Sequence, residues 1–206
     1  CDLAGFPKDV YYLYQSRWTT DPMMHIVPGD WDSWTEGETV KVYLYTNCEK
    51  MELFQDGVSL GMKTKYQMDD RYRYAFDVTY AKGELTAKGY DASGNVVATD
   101  TVKSSDGVPA KLELTAEKAR IDAEELAFIR CRVLDKDGVM VANADNRVTF
   151  TCTGGTVLGT DNGNAACVEN MRGNVRSAFS GKCLCVCRHD GQAGNLVVTA
   201  SADGVE

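Results

Sequence analysis

The chain has 206 residues, enough for one large domain or two of about 100 residues each. Twenty-two basic against thirty acidic side chains leave a net charge of −8, which argues against the basic face of a nucleic-acid binder. A hydrophobic content of 44% excludes a disordered chain, and no apolar run approaches the roughly 18 residues of a membrane helix.

The opening, CDLAGFPKD, shows no initiator Met, no basic stretch and no apolar leader. SADGVE at the other end stops in mid-pattern, so the expectation is a fragment at both ends. Pro7 suits a first helical position and Asp9 a first turn. Val10, Leu13, Tyr14, Arg17 and Trp18 then follow helical spacing, which predicts a helix over 7–18, ended by Asp21-Pro22. Its aromatic stripe needs a partner surface, and no second helix follows.

From Thr35 the period changes to two. Val40, Val42 and Leu44 alternate with Lys41, Tyr43 and Tyr45. Met51 and Leu53 mark a short strand closed by the hairpin turn Asp56-Gly57. Alternation over 71–80 predicts the cleanest strand, and strands over 85–91 and 96–102 flank Ser93-Gly94-Asn95. Short strands at this spacing read as a β-sandwich.

The polar stretch 103–107 reads as a linker, and a second β pattern follows Pro109. Leu112 and Leu114, then Ile129, Cys131 and Val133, then Val148, Phe150 and Cys152 each occupy alternate positions. Residues 154–173, rich in Gly and Asn, are expected to be mostly loop. Strands over 182–188 and 196–200 complete a second sandwich. The first of these is apolar on both faces, as a central strand would be.

Eight cysteines stand at 1, 48, 131, 152, 167, 183, 185 and 187. On a strand, Cys183, Cys185 and Cys187 share one face. Neighbouring thiols there are expected about 7 Å apart, too far for an undistorted bridge. C-x-C-x-C is not a zinc-knuckle spacing. Small buried hydrophobes are the expected role, with one or two disulfides as the alternative.

Chemistry-bearing motifs are sparse. His25 and His189 lie in no recognisable triad setting, and G-x-S-x-G, G-x-G-x-x-G and P-loop patterns are absent. Asp135, Asp137, Asn143, Asp145 and Asp161 are conceivable calcium ligands, but in Asp-Gly and Asn-rich turns they read first as turn residues. Asp30, Asp32, Glu36 and Glu38 crowd around Trp31 and Trp34, a composition seen where paired carboxylates cleave glycosides. A loop ahead of an edge strand is a poor seat for a catalytic acid, so a solvated loop is expected. Trp31, Trp34, Tyr43, Tyr45 and Tyr66 could stack on sugar rings; as core or interface residues they need no ligand.

Three stretches carry a resemblance. DLAGFPKDVYYLYQSRW, residues 2–18, resembles the last helical segment of the catalytic barrel in glycoside hydrolase family 2, the β-galactosidase and β-glucuronidase family. HIVPGDWDSWTEGETVKVYLYTNCEKMELFQDGVSLG, residues 25–61, is similar to the sandwich that follows that barrel. The pattern there is a His and a Pro, a W-x-W pair, Y-T-N, and E-L-F-x-N-G-x-S-L-G. Here the Trp pair is spread to Trp31 and Trp34, and Asp56 stands where Asn is usual. Residues 106–150, with GTDNGNAA and AFSGKCLCVCR beyond, resemble the next Ig-like domain.

The resemblance implies an all-β chain of two consecutive Ig-like β-sandwich domains, 35–105 and 106–206. A short helical segment left from a (β/α)8 barrel, residues 1–34 with the linker, precedes them. It also implies a retaining parent acting on terminal β-linked sugars, β-galactosides above all, with its catalytic glutamates on barrel strands outside this chain. The chain itself is expected to hold no catalytic residue, metal or cofactor and to be inactive. Its role would be to support the barrel or the substrate rim. The expected partner is the missing barrel, with a glycan at Trp31 and Trp34 and a second copy as further candidates, and with neither nucleic acid nor membrane. Family habit places the parent in the periplasm or outside the cell. A carbohydrate-binding module and a structural spacer of an adhesin-type protein are the alternative readings.

Overall fold

A computed structural model describes residues 1–122, 125–192 and 194–205. The chain divides into two compact units: Pro7–Ser104, and Cys1–Phe6 together with the chain from Ser105 onward. Each is an antiparallel sandwich of a three-stranded and a four-stranded sheet among the described residues, the division of a constant-type Ig-like domain.

The first unit opens with helix α1, Asp9–Trp18. It begins two residues after Pro7, because Lys8 is extended and serves as the N-cap. Strand β1, Met24–Val27, follows where only linker was expected. A strand of four residues between Pro22 and Pro28 is too short to show a period. One sheet has the order β1-β2-β5, with β2 at Thr39–Thr46 and β5 at Tyr74–Thr79. The other has the order β4-β3-β6-β7, with β3 at Lys50–Gln55, β4 at Val58–Thr64, β6 at Glu84–Tyr90 and β7 at Val96–Lys103.

β5 is shorter than the alternation over 71–80 predicts. Asp69 gathers the backbone N–H groups of Arg71 and Arg73 into a turn, and Tyr72 takes φ 62°, so pairing starts only at Tyr74. Asp56 and Gly57, both at positive φ, close the β3–β4 hairpin as expected. The inward residues of both sheets, among them Ile26, Val42, Leu44, Met51, Leu53, Tyr74 and Leu85, form one core.

In the second unit one sheet has the order β11-β13-β9-β8 and the other β12-β10-β14. The strands are β8 Lys111–Ala116, β9 Leu126–Leu134, β10 Arg147–Thr153, β11 Gly155–Asp161, β12 Val175–Ser177, β13 Lys182–His189 and β14 Val197–Ser201. Within 154–173, expected to be mostly loop, β11 takes 155–161 and residues 162–173 carry no strand. The glycines of β11 mark close backbone approach: a Cβ at Gly155 would strike the Arg188 carbonyl, and one at Gly159 the Met171 carbonyl. The register also shifts between Val157 and Gly159.

β13 is central and covered on both faces. Cys183, Cys185 and Cys187 point into the sandwich with Cys131 and Phe150, all fully buried. The outward Leu184 and Val186 are covered by Ala4 and Phe6 of the opening segment. The thiols are free, but the expected spacing needs correction: rotamers bring the sulfurs of Cys185 and Cys187 to 3.5 Å. A hydrogen bond with Cys131 and burial push the Cys183 thiol well up, a hydrogen bond with Cys185 and burial do the same for Cys187, and burial takes Cys152 to about 11. These sulfurs are held as thiols, the inert form.

Arg176 is 1% exposed and organises the loop between β11 and β12. Its Nη2 donates to the carbonyls of Thr160 at 2.7 Å and Asn170 at 3.1 Å, and Nη1 lies 3.5 Å from a Glu169 carboxylate oxygen. Glu169 in turn accepts from the Ser177 hydroxyl at 2.7 Å and the Ser177 amide at 3.1 Å. Arg176→Ala should therefore lower stability by about 3–5 kcal/mol in urea unfolding, because it leaves two carbonyls without their donor and takes the counter-charge from Glu169. At Gly163, φ is +72° and a Cβ would collide with the Asp2 carboxylate. Gly163→Ala should cost about 1 kcal/mol or more from backbone strain alone. The clash adds to that strain, and removing the carboxylate by Asp2→Ala should relieve the added part only in a double-mutant cycle.

Candidate functional site: helix α1 and the Trp31 loop

Ten residues of helix are too few to be stable alone, so α1 depends on what holds it. Its inner side is anchored by polar contacts more than by packing. The Ser16 hydroxyl, buried, donates to the Leu13 carbonyl at 2.7 Å and accepts from Arg17 Nε at 3.1 Å. Arg17 reaches the Thr46 carbonyl with Nη2 and Met68 Sδ with Nη1. Tyr12 stacks on His25, ring centroids 3.7 Å apart.

The chain after the helix is fixed by the Y-T-N-C stretch at the end of β2. Asn47 Nδ2 donates to the carbonyls of Thr19 and Asp21 at 3.1 and 2.8 Å, and its Oδ1 accepts from the Met23 amide at 3.0 Å. The Thr46 hydroxyl donates to the Met23 carbonyl at 2.6 Å and accepts from the Cys48 amide at 3.1 Å. Three backbone carbonyls and an amide with no strand partner are thereby satisfied. Alternation within β2 does not reveal this role.

The outer side of α1 is different in kind. Val10, Tyr11 and Tyr14 are about half exposed, and Trp18 is 80% exposed. With spacings of i, i+4 and i+8, Val10, Tyr14 and Trp18 form one face, and the Tyr14 and Trp18 rings touch at 4.8 Å between centroids. The aromatic stripe read from the sequence is thus largely the open face of the helix.

The proposed sugar-contact pair separates. Trp31 is 0% exposed and offers no face to a ligand. Its Nε1 donates to the Ala81 carbonyl at 3.2 Å, and its ring meets Tyr80 edge-on at 5.1 Å. Its own carbonyl accepts from Tyr80 Oη at 3.2 Å and Ser104 Oγ at 2.6 Å. Trp34 is half-buried and packs against the same core. Two of the acids nearby serve local turns and a third reaches a distant backbone amide. Asp30 accepts from the Ser33 hydroxyl, Glu38 from the Thr35 amide and Glu36 from the Lys82 amide.

In the second unit, Asp135 and Asp137 lie together with Asp106, not in a group with Asn143, Asp145 and Asp161. Asp135, 1% exposed, accepts from the amides of Asp106, Asp137 and Val139 at 2.8–3.0 Å. Burial raises its carboxyl pKa, but these three amides outweigh that and hold it below the usual range. The Lys136 ammonium spans Asp106 and Asp137 at 2.9 and 2.8 Å. The cluster is a turn in which backbone amides hold one carboxylate and a single ammonium meets the other two. A cleft of about 940 Å³ at one end of this sandwich includes Lys118, Arg120, Ile121, His189 and Asn195, and His189 Nδ1 there accepts from the Gly191 amide at 3.0 Å.

Two Ig-like sandwiches, the first carrying a helix with one anchored and one open face, define an appended all-β region. Comparison with known proteins gives the family. Residues 111–206 match the glycoside hydrolase family 2 C-terminal domain 5, and residues 37–98 match a domain of unknown function. A β-galactosidase of Bacteroides ovatus is 39% identical over 99% of this chain and 24% of its own length. A β-glucuronidase of Formosa agariphila is 29% identical over 74% of this chain and 16% of its own. A crystal structure of a β-glycosidase from Bacteroides vulgatus superposes over 100% of this chain and 26% of its own, at 33% identity and a TM-score of 0.91. The chain thus spans a quarter or less of the curated relatives it matches. It belongs to the C-terminal region of glycoside hydrolase family 2 proteins.

The different burial of the two tryptophans has a measurable consequence. Trp31→Ala should destabilise the first unit by about 3–5 kcal/mol in chemical unfolding, the range for a large core aromatic. Trp34→Ala should cost clearly less, because the residue is only half-buried.

Proposed function

We propose that this chain is the non-catalytic C-terminal region of a retaining β-galactosidase of family 2, and that it braces the catalytic barrel through helix α1. The observation that carries the reading is the two-sidedness of α1. Arg17, Asn47 and Tyr12 hold one side against the first sandwich, while Val10, Tyr14 and Trp18 stand open on the other. A row of apolar side chains on a rigidly held helix is suited to burial against a further surface. The name of the Bacteroides ovatus relative favours a β-galactoside over a β-glucuronide. A non-catalytic role is supported by Asp30, Glu36 and Glu38 of the Trp31 loop, which are engaged by nearby hydroxyl and amide groups.

The test uses the full-length protein with Tyr14→Asp and Trp18→Asp. Docking through this face predicts a loss of about 2 kcal/mol or more in the stability of the catalytic part, seen as a lower melting transition. Hydrolysis of an aryl β-galactoside per folded molecule should stay within about twofold, roughly 0.4 kcal/mol in the barrier. The 206-residue chain alone should hydrolyse neither an aryl β-galactoside nor an aryl β-glucuronide. An unchanged melting transition in the double variant would remove the bracing role, and hydrolysis by the isolated chain would remove the non-catalytic one.

A further inference from the structure

His25, on β1, is the one histidine of the first unit, and its side chain is only 14% exposed. Its Nε2 lies 3.1 Å from Asp9 Oδ1, at the first residue of α1. Its Nδ1 lies 3.6 Å from Asp100 Oδ2, on β7. A neutral imidazole has one N–H and one lone pair, so either tautomer would turn a lone pair toward a carboxylate oxygen. Only the imidazolium presents an N–H to both.

Asp100 is not free to turn away. Its Oδ2 also accepts from the Ile26 amide at 2.8 Å, and its Oδ1 accepts from the Thr101 amide at 2.9 Å. Asp9, in the first turn of the helix, favours the positive end of the helix dipole. The groups facing the ring are therefore Asp9 and Tyr12 from α1, Tyr45 from β2 at 6.3 Å between centroids, and Asp100 from β7. The two carboxylates are the charged members of that set.

We propose that His25 is a protonation latch: as the imidazolium it ties the start of α1, through Asp9, to β7, through Asp100, and on losing its proton it releases the first turn of the helix. Burial alone would lower the imidazole pKa, but the bonds to Asp100 and Asp9 and their charges outweigh it and move the value upward. A folded value above the unfolded one means that the latch contributes fully below about pH 6.5 and fades as pH rises through the folded value. The latch acts on the turn that carries Val10 and Tyr11, so it biases how the open helix face is presented. It does so whatever surface that face meets.

The test is an NMR titration of the His25 ring in the 206-residue chain, with His189 as internal reference, alongside amide exchange of α1 from about pH 5.5 to 8.5, a span that brackets the reference imidazole value. His25 should titrate above 6.5, and both Asp9→Asn and Asp100→Asn should lower its midpoint. Protection of the Tyr11 amide, which bonds the Lys8 carbonyl, and of the α1 amides that bond first-turn carbonyls, corrected for intrinsic exchange, should fall through that titration. The fall should be about tenfold for each pK unit separating folded and unfolded values, with β13 amides unchanged. In His25→Gln the same amides should be weakly protected at every pH. A midpoint at or below 6.5 overturns the proposal, as does α1 protection that is flat through the titration. Should His25→Gln fail to fold, Asp9→Asn, at a half-exposed carboxylate, still decides: an unmoved midpoint overturns the latch.

Discussion

The carboxamide of Asn47 holds the backbone that joins helix to sheet in the first unit. The stretch from Thr19 to Met23 runs between α1 and β1 with no ladder to satisfy its polar groups, and such groups are expensive to leave unpaired. Asn47 takes two carbonyls and one amide, and Thr46 takes a third carbonyl. With that connection fixed, Arg17 can reach the Thr46 carbonyl and Tyr12 can lie flat on His25. A helix too short to persist alone thereby becomes a rigid part of a β domain.

The second unit solves a similar problem from its interior. The loop between β11 and β12 has little sheet of its own, and the buried Arg176 guanidinium collects its carbonyls while Glu169 balances the charge. Around β13, cysteines fill one face as small hydrophobes and the opening segment, through Ala4 and Phe6, covers the other. Lys182 and Arg130 lie over the Phe6 ring, 5.6 and 6.0 Å from its centroid, and keep their charges at the edge of that cover. Residues 1–6 thus belong to the second sandwich in packing although they adjoin the helix in sequence.

A region held together in this way supplies rigid surfaces more readily than reactive groups. Asp30 and Glu38 close turns, the Cys183 and Cys187 thiols are held protonated in the core, and one tryptophan of the pair is sealed beneath Tyr80. What it offers outward is a helix face of Val10, Tyr14 and Trp18, whose underside is set by charge and hydrogen bonding. Bracing needs that combination: an apolar contact surface on a support tied into the sandwich.

Period-two alternation was enough to read the sandwich class, most strands and the Asp56-Gly57 hairpin, because side-chain direction in a strand is a local property of the chain. The family likeness was legible for the same reason, since Y-T-N-C and E-L-F-Q-D-G-V-S-L-G are contiguous. β11 was not legible: its glycines, which signal loop in sequence, are required by backbone neighbours far along the chain. The separation of Trp31 from Trp34 was hidden as well, because burial depends on Ala81 and Tyr80. The clamp on His25 was the least visible, since Asp9, His25 and Asp100 come from one helix and two strands. Local pattern determined which residues point the same way. Only the tertiary structure decided which of them meet, because the pairing of charges and the sealing of rings depend on distances through space.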